Sequence, residues 1–204
     1  MHKNKAVERR LMAYTPRILA FAGSTRTDSF NKKLVKIAAM GAQAAGAQVT
    51  FIDLRDFPMP LYDGDLEIKE GIPPHAIKFK EALLSHQGLL ISSPEYNSSI
   101  SGVLKNAIDW ASRALPGEAP LSCFTNKVAG LMSASPGALG GLRGLVHLRS
   151  ILENIHVLVL PDQIAVAKAH EAFHADGSLK DIKQQAAVQD IGFQLAKMLI
   201  RLGS

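Results

Sequence analysis

The feature that most constrains this chain is a set of five short apolar segments that alternate with longer segments of helical period. The apolar segments lack the polar alternation of half-exposed strands, as is typical of strands covered on both faces. They are residues 17–22, 48–53, 88–92, 127–132 and 156–160. Strands separated by helices in this way form a parallel sheet between two helical layers. The sequence therefore predicts a three-layer α/β sandwich with a five-stranded parallel sheet.

Apolar residues with helical spacing follow each of the first four predicted strands and also close the chain. The predicted helices are residues 31–45, 74–85, 102–113, 141–154 and a C-terminal stretch over 188–202. Residues 57–64, rich in proline, are predicted to form a loop. In a doubly wound sheet, ligands bind beyond the carboxyl ends of the strands, so the loops after strands one, three and four are the candidate site.

The charge of the chain is concentrated at its start. The formal net charge is +5, but five basic residues and one acid lie within residues 1–17, which leaves +1 for residues 18–204. We expect residues 1–15 to form a flexible basic arm, with a transit peptide or an anion-binding tail as alternatives, and residues 16–204 to form one domain. A nearly neutral body with few aromatic residues argues against a nucleic-acid partner.

The sequence has no long apolar run and only one cysteine, and both facts limit the cellular compartment to be expected. No run of eighteen apolar residues exists, so no membrane span is expected. The single cysteine, Cys123, excludes an intramolecular disulfide framework and a four-thiolate metal site. A reducing, cytoplasmic setting is therefore expected.

The loop after the first strand reads GSTRTDSFN over residues 23–31. Its hydroxyls, its amide and the guanidinium of Arg26 lie at the start of a helix, whose first backbone N–H groups favour an anion. The alternative is an ordinary helix cap, made by Asp28 or Ser29. The loop matches neither GxGxxG nor the P-loop pattern, so the pattern favours the terminal phosphate of a mononucleotide over a dinucleotide.

The other two loops have the composition of binding walls. Residues 93–98 (SPEYNS) form a polar turn with one aromatic ring. Residues 133–141 (SASPGALGG) are small, which allows a flat ring to approach the backbone. Such a loop is as often a flexible connection, but here three polar or small loops follow successive strand ends.

From about Arg17 to its C-terminus, the chain resembles the flavodoxin-like NAD(P)H-dependent FMN reductases, a group that includes quinone, azo-dye and chromate reductases. The resemblance rests on GSTRTDSFN, PEYNSSISGVLKNAIDW and SASPGALGG. It implies a flavodoxin-like fold with strand order 2-1-3-4-5, FMN as cofactor, and NADPH or NADH as hydride donor. One departure from the pattern is Ser101, where many members have proline.

The resemblance also implies the positions that hold FMN. The first loop would hold the phosphate, the second would line the ribityl chain and the isoalloxazine, and the third would close the other side of the ring. The candidate cofactor-binding residues are Ser24, Thr25, Arg26, Ser29, Phe30, Asn31, Pro94, Glu95, Tyr96, Asn97, Ser98, Ser135 and Gly137.

The predicted chemistry is a hydride transfer carried by FMN, which needs stacked rings and no catalytic side chain. We expect a ping-pong cycle that passes electrons to a small acceptor, such as a quinone, free flavin, an azo compound or a metal oxyanion. The resemblance further implies a homodimer or homotetramer, with residues 102–113 as the contact. It leaves open the choice between NADH and NADPH.

Two other function classes fit parts of the sequence. A flavodoxin-type electron carrier would share the fold and FMN, although such carriers tend to be strongly acidic. The segment HEAFH, His170 to His174, matches the HExxH pattern of zinc hydrolases. It is followed by a turn signal and by no further histidine or glutamate that could be the third zinc ligand. The sequence therefore argues against a zinc site here.

Overall fold

The computed structural model describes residues 14–203, and its centre is a five-stranded parallel sheet. The strands of this sheet are β1 (Arg17–Ala22), β2 (Gln48–Phe51), β3 (Gly88–Ser92), β6 (Val128–Ala134) and β7 (Leu158–Val166). Between β3 and β6 lies a hairpin of two short strands, β4 (Glu95–Tyr96) and β5 (Ser99–Ile100). The sheet order is β2-β1-β3-β6-β7, which is 2-1-3-4-5 when its own strands are counted. The predicted fold class and strand order are confirmed.

Helices cover both faces of the sheet. They are α1 (Phe30–Ala44), α2 (Gly64–Glu70), α3 (Pro74–Leu84), α4 (Gly102–Ala111), α5 (Leu142–Asn154), α6 (Ala169–Ala172) and α7 (Ile182–Leu202). The apolar residues of α1 and α7 form one core with the sheet, and those of α3, α4 and α5 form the other. The strands β1, β3 and β6 are buried almost throughout, which explains their unbroken apolar sequence.

The contact between α1 and α7 is made at the level of the backbone. A Cβ atom on Gly41 would lie 1.8 Å from the carbonyl oxygen of Gln189, and one on Gly192 would lie 1.8 Å from that of Ala38. Only glycine leaves room for this approach. The position of α1 is therefore fixed by α7.

Three local predictions were wrong in their boundaries. The second strand ends at Phe51 rather than at Asp53, because the Asp53 side chain accepts a hydrogen bond from Arg55 N and starts a short 3₁₀ turn. The fifth strand begins at Leu158 and continues past Pro161, where an irregularity in its pairing with β6 tolerates a residue without an N–H. The proline-rich loop leads into α2, a helix that was not predicted and that Asp63 caps.

Two buried lysines near the amino ends of the strands have partners inside the protein. Lys127 is buried and donates to the carbonyl oxygen of His86, whose Nε2 atom lies 2.8 Å from Thr50 Oγ1. Lys80 is 2 % exposed and lies 2.9 Å from the carboxylate of Glu118. Burial alone would raise the pKa of Glu118, but hydrogen bonds from Leu115 N, Lys80 and Ser122 lower it to about 2. Burial lowers the pKa of Lys127.

Two further predictions were a basic arm over residues 1–15 and the absence of a membrane span. The predicted arm, residues 1–15, lies outside the described residues except for its last two positions. Within residues 14–203, no helix has the length and hydropathy to cross a bilayer.

Candidate functional site

The three predicted loops meet at the carboxyl edge of the sheet, where β1, β3 and β6 end side by side. The first loop enters α1 through Ser29, which is buried and occupies the N-cap position. Its side chain makes no capping hydrogen bond, so it leaves the first amides of α1 without the usual side-chain acceptor. An anion at this point would satisfy them.

Arg26 adds a positive charge to this loop. It is exposed, and it forms no ion pair within the described part of the chain. The neighbouring acid, Asp28, pairs instead with Lys33, whose amine lies 2.7 Å from the carboxylate. The hydrogen bond from Lys33 is the main reason that the pKa of Asp28 is lowered. The guanidinium of Arg26 is thus available to a ligand.

Asn31 joins the first loop to the ends of two other strands. Its Oδ1 atom accepts hydrogen bonds from Ser92 Oγ at 2.8 Å and from Ala134 N at 2.9 Å. Its Nδ2 atom donates to Ala134 O at 2.9 Å. The side chain is 3 % exposed, so these three bonds form inside the protein. Asn31 therefore positions the start of α1, and its side-chain amide is largely occupied by protein partners.

The second loop is the hairpin of β4 and β5, a feature that the sequence reading treated as a simple polar turn. Its tip is formed by Asn97 and Ser98, which have positive φ angles of 51° and 68°. This conformation is the one that a two-residue hairpin turn requires.

The carboxylate of Glu95 ties this hairpin to the start of α5. Glu95 Oε1 lies 2.6 Å from Arg143 Nη2, and Oε2 accepts hydrogen bonds from the backbone N–H groups of Arg143 and Gly144. Burial opposes ionisation of Glu95, but these hydrogen bonds outweigh it and keep its pKa below the usual value. Glu95 was predicted to line the cofactor site. Because its carboxylate is bonded to Arg143 and Gly144, only its backbone and the CH₂ groups of its side chain are left to contact a ligand.

Ser101, the departure from the family pattern, connects the second loop to the first. Its hydroxyl donates to the carbonyl oxygen of Gly23 at 2.6 Å and accepts from Leu104 N, which caps α4. Its backbone angles, φ −68° and ψ 148°, are compatible with proline. A proline would keep this backbone and lose both hydrogen bonds.

The third loop depends on glycine where it turns into α5. Gly141 has a φ of 95°, and a Cβ atom there would lie 1.8 Å from Ser133 Oγ. At the start of the loop, Ser135 N donates to Val166 O and Ser135 O accepts from Ala169 N. These bonds hold the loop close to the end of β7.

Nine of the thirteen predicted cofactor residues line one cleft at this edge. They are Ser24, Arg26, Ser29, Phe30, Asn31, Pro94, Glu95, Tyr96 and Ser135. Ala134 and Pro136 also line it and were not predicted, since neither has a side chain that indicates binding. The enclosed volume is about 50 Å³, which is room for a phosphate-sized group, and the ring of Tyr96 at its rim is exposed.

Four predicted residues lie away from this cleft. Thr25 borders a separate cavity, and its carbonyl oxygen accepts from Arg55. Asn97 and Ser98 are at the hairpin tip, and Gly137 lies further along the third loop.

The HEAFH segment does not have the helical geometry of a zinc motif. The helix α6 ends at Ala172, and Phe173 is extended, so His174 lies outside the helix that holds His170. Phe173 stacks on Phe30 with ring centroids 5.8 Å apart. Within residues 14–203, no group of three or more potential ligands is placed to hold a metal ion. The segment thus supports the start of α1.

Comparison with known proteins places this geometry in a family. The model of the NADPH-dependent FMN reductase family matches residues 16–171. An NAD(P)H-dependent FMN reductase of Pseudomonas aeruginosa is 37% identical over 175 residues, which cover 85% of this chain and 89% of that protein. The chain belongs to the NADPH-dependent FMN reductase family.

Further relatives of this FMN reductase family member agree with the assignment. A probable NADPH:quinone oxidoreductase of Oryza sativa is 34% identical over 91% of this chain and 90% of its own length. The solved structure of FerB, an NAD(P)H:(acceptor) oxidoreductase from Paracoccus denitrificans, has a TM-score of 0.75 and 28% identity, covering 93% of this chain and 99% of that one. The predictions of an NAD(P)H-dependent oxidoreductase with FMN as cofactor are confirmed. The carrier and zinc-hydrolase alternatives are set aside.

The residues of the cleft fit this cofactor. The start of α1 has no side-chain cap, and Arg26 has no ion pair with a residue in the range 14–203; both features match a terminal phosphate dianion. The lining contains no acidic group with a free carboxylate, because Glu95 is held by Arg143. Backbone and small side chains at the third loop leave space for a flat ring.

Proposed function

We propose that the cleft at the carboxyl edge binds FMN and that the protein uses it to reduce a quinone or a similar small acceptor with NAD(P)H. One observation supports FMN binding at this cleft: Arg26, the uncapped start of α1 and the hairpin all line it. Bound FMN supplies the redox chemistry, accepting hydride from the nicotinamide and releasing electrons to the acceptor.

The chain's own residues bind and orient. Arg26 and the α1 amides would hold the phosphate, and Ser24 and Ser29 would add hydroxyl contacts. Asn31 keeps these donors in place through its bonds to Ser92 and Ala134. A rigid loop of this kind lowers the cost of ordering a bound ligand.

The ring of the cofactor would lie between the hairpin and the third loop. Tyr96 is 51% exposed on the rim, where an aromatic side chain can pack against a planar ring. The hairpin and the third loop would hold the ring from the two sides of the cleft. The proposal includes a ping-pong cycle, in which donor and acceptor would use the same site in turn.

The first experiment mixes the FMN-loaded protein with NADPH or with NADH in the absence of oxygen. Loss of the visible absorbance of oxidised flavin with at least one donor, and its return on adding a quinone, are expected. An oxidised spectrum that persists with both donors contradicts the proposal. Initial rates at several quinone concentrations should give parallel double-reciprocal lines, whereas intersecting lines contradict the ping-pong cycle.

A matched pair of variants tests the placement of the phosphate. Ser29→Ala removes a hydroxyl that lines the cleft, and we expect FMN affinity to fall about 2–10-fold. Thr25→Ala removes a hydroxyl of the same loop that lies outside the cleft, and no change is expected. Equal effects of the two variants would contradict the placement.

The proposal includes a homo-oligomer in a reducing, cytoplasmic setting. The exposed side of α4, the predicted contact, carries an ion pair between Lys105 and Asp109. Exposed apolar side chains occur instead at Leu139, Leu142 and Val146, next to the hairpin. Light scattering of the wild type and of Val146→Glu tests this surface, and a monomeric wild type would contradict the oligomer.

A further inference from the structure

A second and larger cavity lies on the other side of the first loop. Its volume is about 590 Å³, within the range of small-molecule sites. We call it the β2 cavity, because it lies between the first half of α1 and the carboxyl ends of β1 and β2 and is lined by Lys33, Lys36, Phe51, Asp53 and Asp56. Of the residues that line it, only Ser29 also lines the FMN cleft.

The lining of the cavity combines apolar and charged side chains. Ala20 and Ala22 of β1 line its inner side and are almost completely buried. Phe51 forms part of the wall and is 43% exposed, although it is a large apolar side chain. A planar apolar group in the cavity would cover it.

The charges of the cavity are balanced and only partly paired. Lys32 bonds to Asp53 at 2.5 Å, and Lys33 bonds to Asp28. Lys36 and Asp56 are exposed, and neither forms an ion pair within residues 14–203. A simple anion would be repelled by the carboxylates. An apolar molecule would bury charged groups without giving them partners, which costs free energy. A ligand with both an anionic group and hydroxyl donors fits this mixture.

Asp53 occupies a position that has a known physical use in related architectures. In dinucleotide-binding α/β folds, an acid at the end of the second strand accepts hydrogen bonds from a ribose. Asp53 lies two residues after the end of β2, in a β1–α1–β2 unit whose strands are parallel neighbours. Its Oδ1 and Oδ2 atoms accept from Arg55 N and Lys32, and a carboxylate has lone pairs for further donors.

We propose that the β2 cavity binds the adenosine-phosphate part of a nucleotide. The base packs against Phe51, the ribose hydroxyls donate to Asp53 or Asp56, and the phosphate lies at Lys36 with Lys33 beside it. Arg55 links this cavity to the FMN site, since its guanidinium donates to the carbonyl oxygen of Thr25 in the first loop. The occupant is either the adenosine end of NADPH or a separate nucleotide.

The test is a calorimetric titration of the FMN-loaded protein with adenosine 2′,5′-bisphosphate. Binding to the wild type is expected, and Lys36→Ala should weaken it about 10-fold or more, as expected for loss of a charged hydrogen bond. Lys105→Ala is the matched control, because it removes the same charge from α4, outside the cavity. No binding to the wild type, or equal weakening by Lys36→Ala and Lys105→Ala, would overturn the proposal.

Kinetics with the same variants distinguish the two sources. If the occupant is NADPH, Lys36→Ala raises KM for NADPH more than KM for NADH, whereas the control Lys105→Ala changes neither KM. If it is a separate nucleotide, the bisphosphate affinity falls while both KM values stay constant. The NADPH alternative rests on the proposed function, whereas the titration does not. Failure of the proposed function would appear separately, as FMN that neither donor reduces.

Discussion

The two edges of the sheet differ in one respect: some polar groups at the carboxyl edge have no protein partner among the described residues, although Glu95 and Asp53 there are paired. At the amino edge, Lys80, Lys127 and His86 are buried, and each has a partner inside the protein. At the carboxyl edge, Arg26 forms no ion pair with any described residue and Ser29 does not cap its helix. Burial explains the first edge, because an unpaired buried charge is costly. The unused donors of the second edge are what a ligand can bind.

The largest expected effect lies at the amino edge. Lys80→Met leaves the carboxylate of Glu118 without its amine, and we expect the free energy of unfolding to fall by about 3–5 kcal/mol. FMN affinity of the folded protein should not change. Urea unfolding and a flavin fluorescence titration measure the two quantities.

The double variant Lys80→Met, Glu118→Gln is the control for this pair. It removes both charges and should recover part of the lost stability. The pKa of Glu118 is about 2 when folded, below its ordinary value of 4.5. Its contribution is therefore present above about pH 4.5 and is lost as the pH falls toward 2. If Lys80→Met also lost FMN affinity, the amino edge would not be limited to a role in stability, and the difference between the two edges would be contradicted.

Asn31 is the next largest case and sharpens the comparison, since it lies at the carboxyl edge but is fully engaged. Asn31→Ala breaks three buried hydrogen bonds, and stability should fall by about 2–3 kcal/mol. FMN affinity should fall as well, because the start of α1 loses its position. Ser92→Ala removes one of the bonds and should show a smaller loss of both. Unchanged FMN affinity in Asn31→Ala would show that Asn31 stabilises the fold but does not position the start of α1 for FMN binding.

Arg26→Ala is expected to show the reverse of Lys80→Met. Loss of a charged contact to a phosphate should weaken FMN binding about 30-fold, which corresponds to about 2 kcal/mol. Stability without FMN should stay within about 0.5 kcal/mol, as for other exposed positions. Arg26→Lys should restore part of the affinity, since lysine keeps the charge but not the forked geometry. A destabilised Arg26→Ala protein would show that the arginine has a partner of its own.

The smallest expected effect is a pH dependence from Lys127. Its pKa is lowered by burial from 10.5, so between the two values the unfolded chain binds more protons. The free energy of unfolding therefore rises with pH in that window, by at most about 1.4 kcal/mol per unit. Lys127→Met should have a flatter profile. The difference between the profiles reports Lys127 together with its charge interaction with Cys123, whose pKa burial raises. Identical profiles would contradict the lowered pKa.

The apolar segments predicted the sheet well, because complete burial of β1, β3 and β6 leaves an unbroken pattern in the sequence. The hairpin and α2 were missed for a different reason. Each is short and stabilised by single polar contacts, such as Asp63 at the start of α2, which carry no periodicity. Strand boundaries failed where a side chain redirected the backbone, as Asp53 does after β2.

The site shows a similar division. Residue types predicted which loops meet, but not which side chains remain available. Glu95 and Asn31 have the composition of ligand contacts, yet their partners are Arg143, Ser92 and Ala134, which are distant in sequence. The β2 cavity had no sequence signal, because its lining residues come from two separate segments, 20–36 and 51–57, that only the fold brings together.

The glycine contact between α1 and α7 has a consequence for the order in which the molecule is completed. The residues in contact, Gly41 with Gln189 and Gly192 with Ala38, are about 150 positions apart. During synthesis, β1 and α1 leave the ribosome long before α7 exists. The helix that follows the first loop therefore gains this contact only after α7 has been made. If FMN binds at the first loop as proposed, we expect a nascent chain halted before Gly192 to retain it poorly.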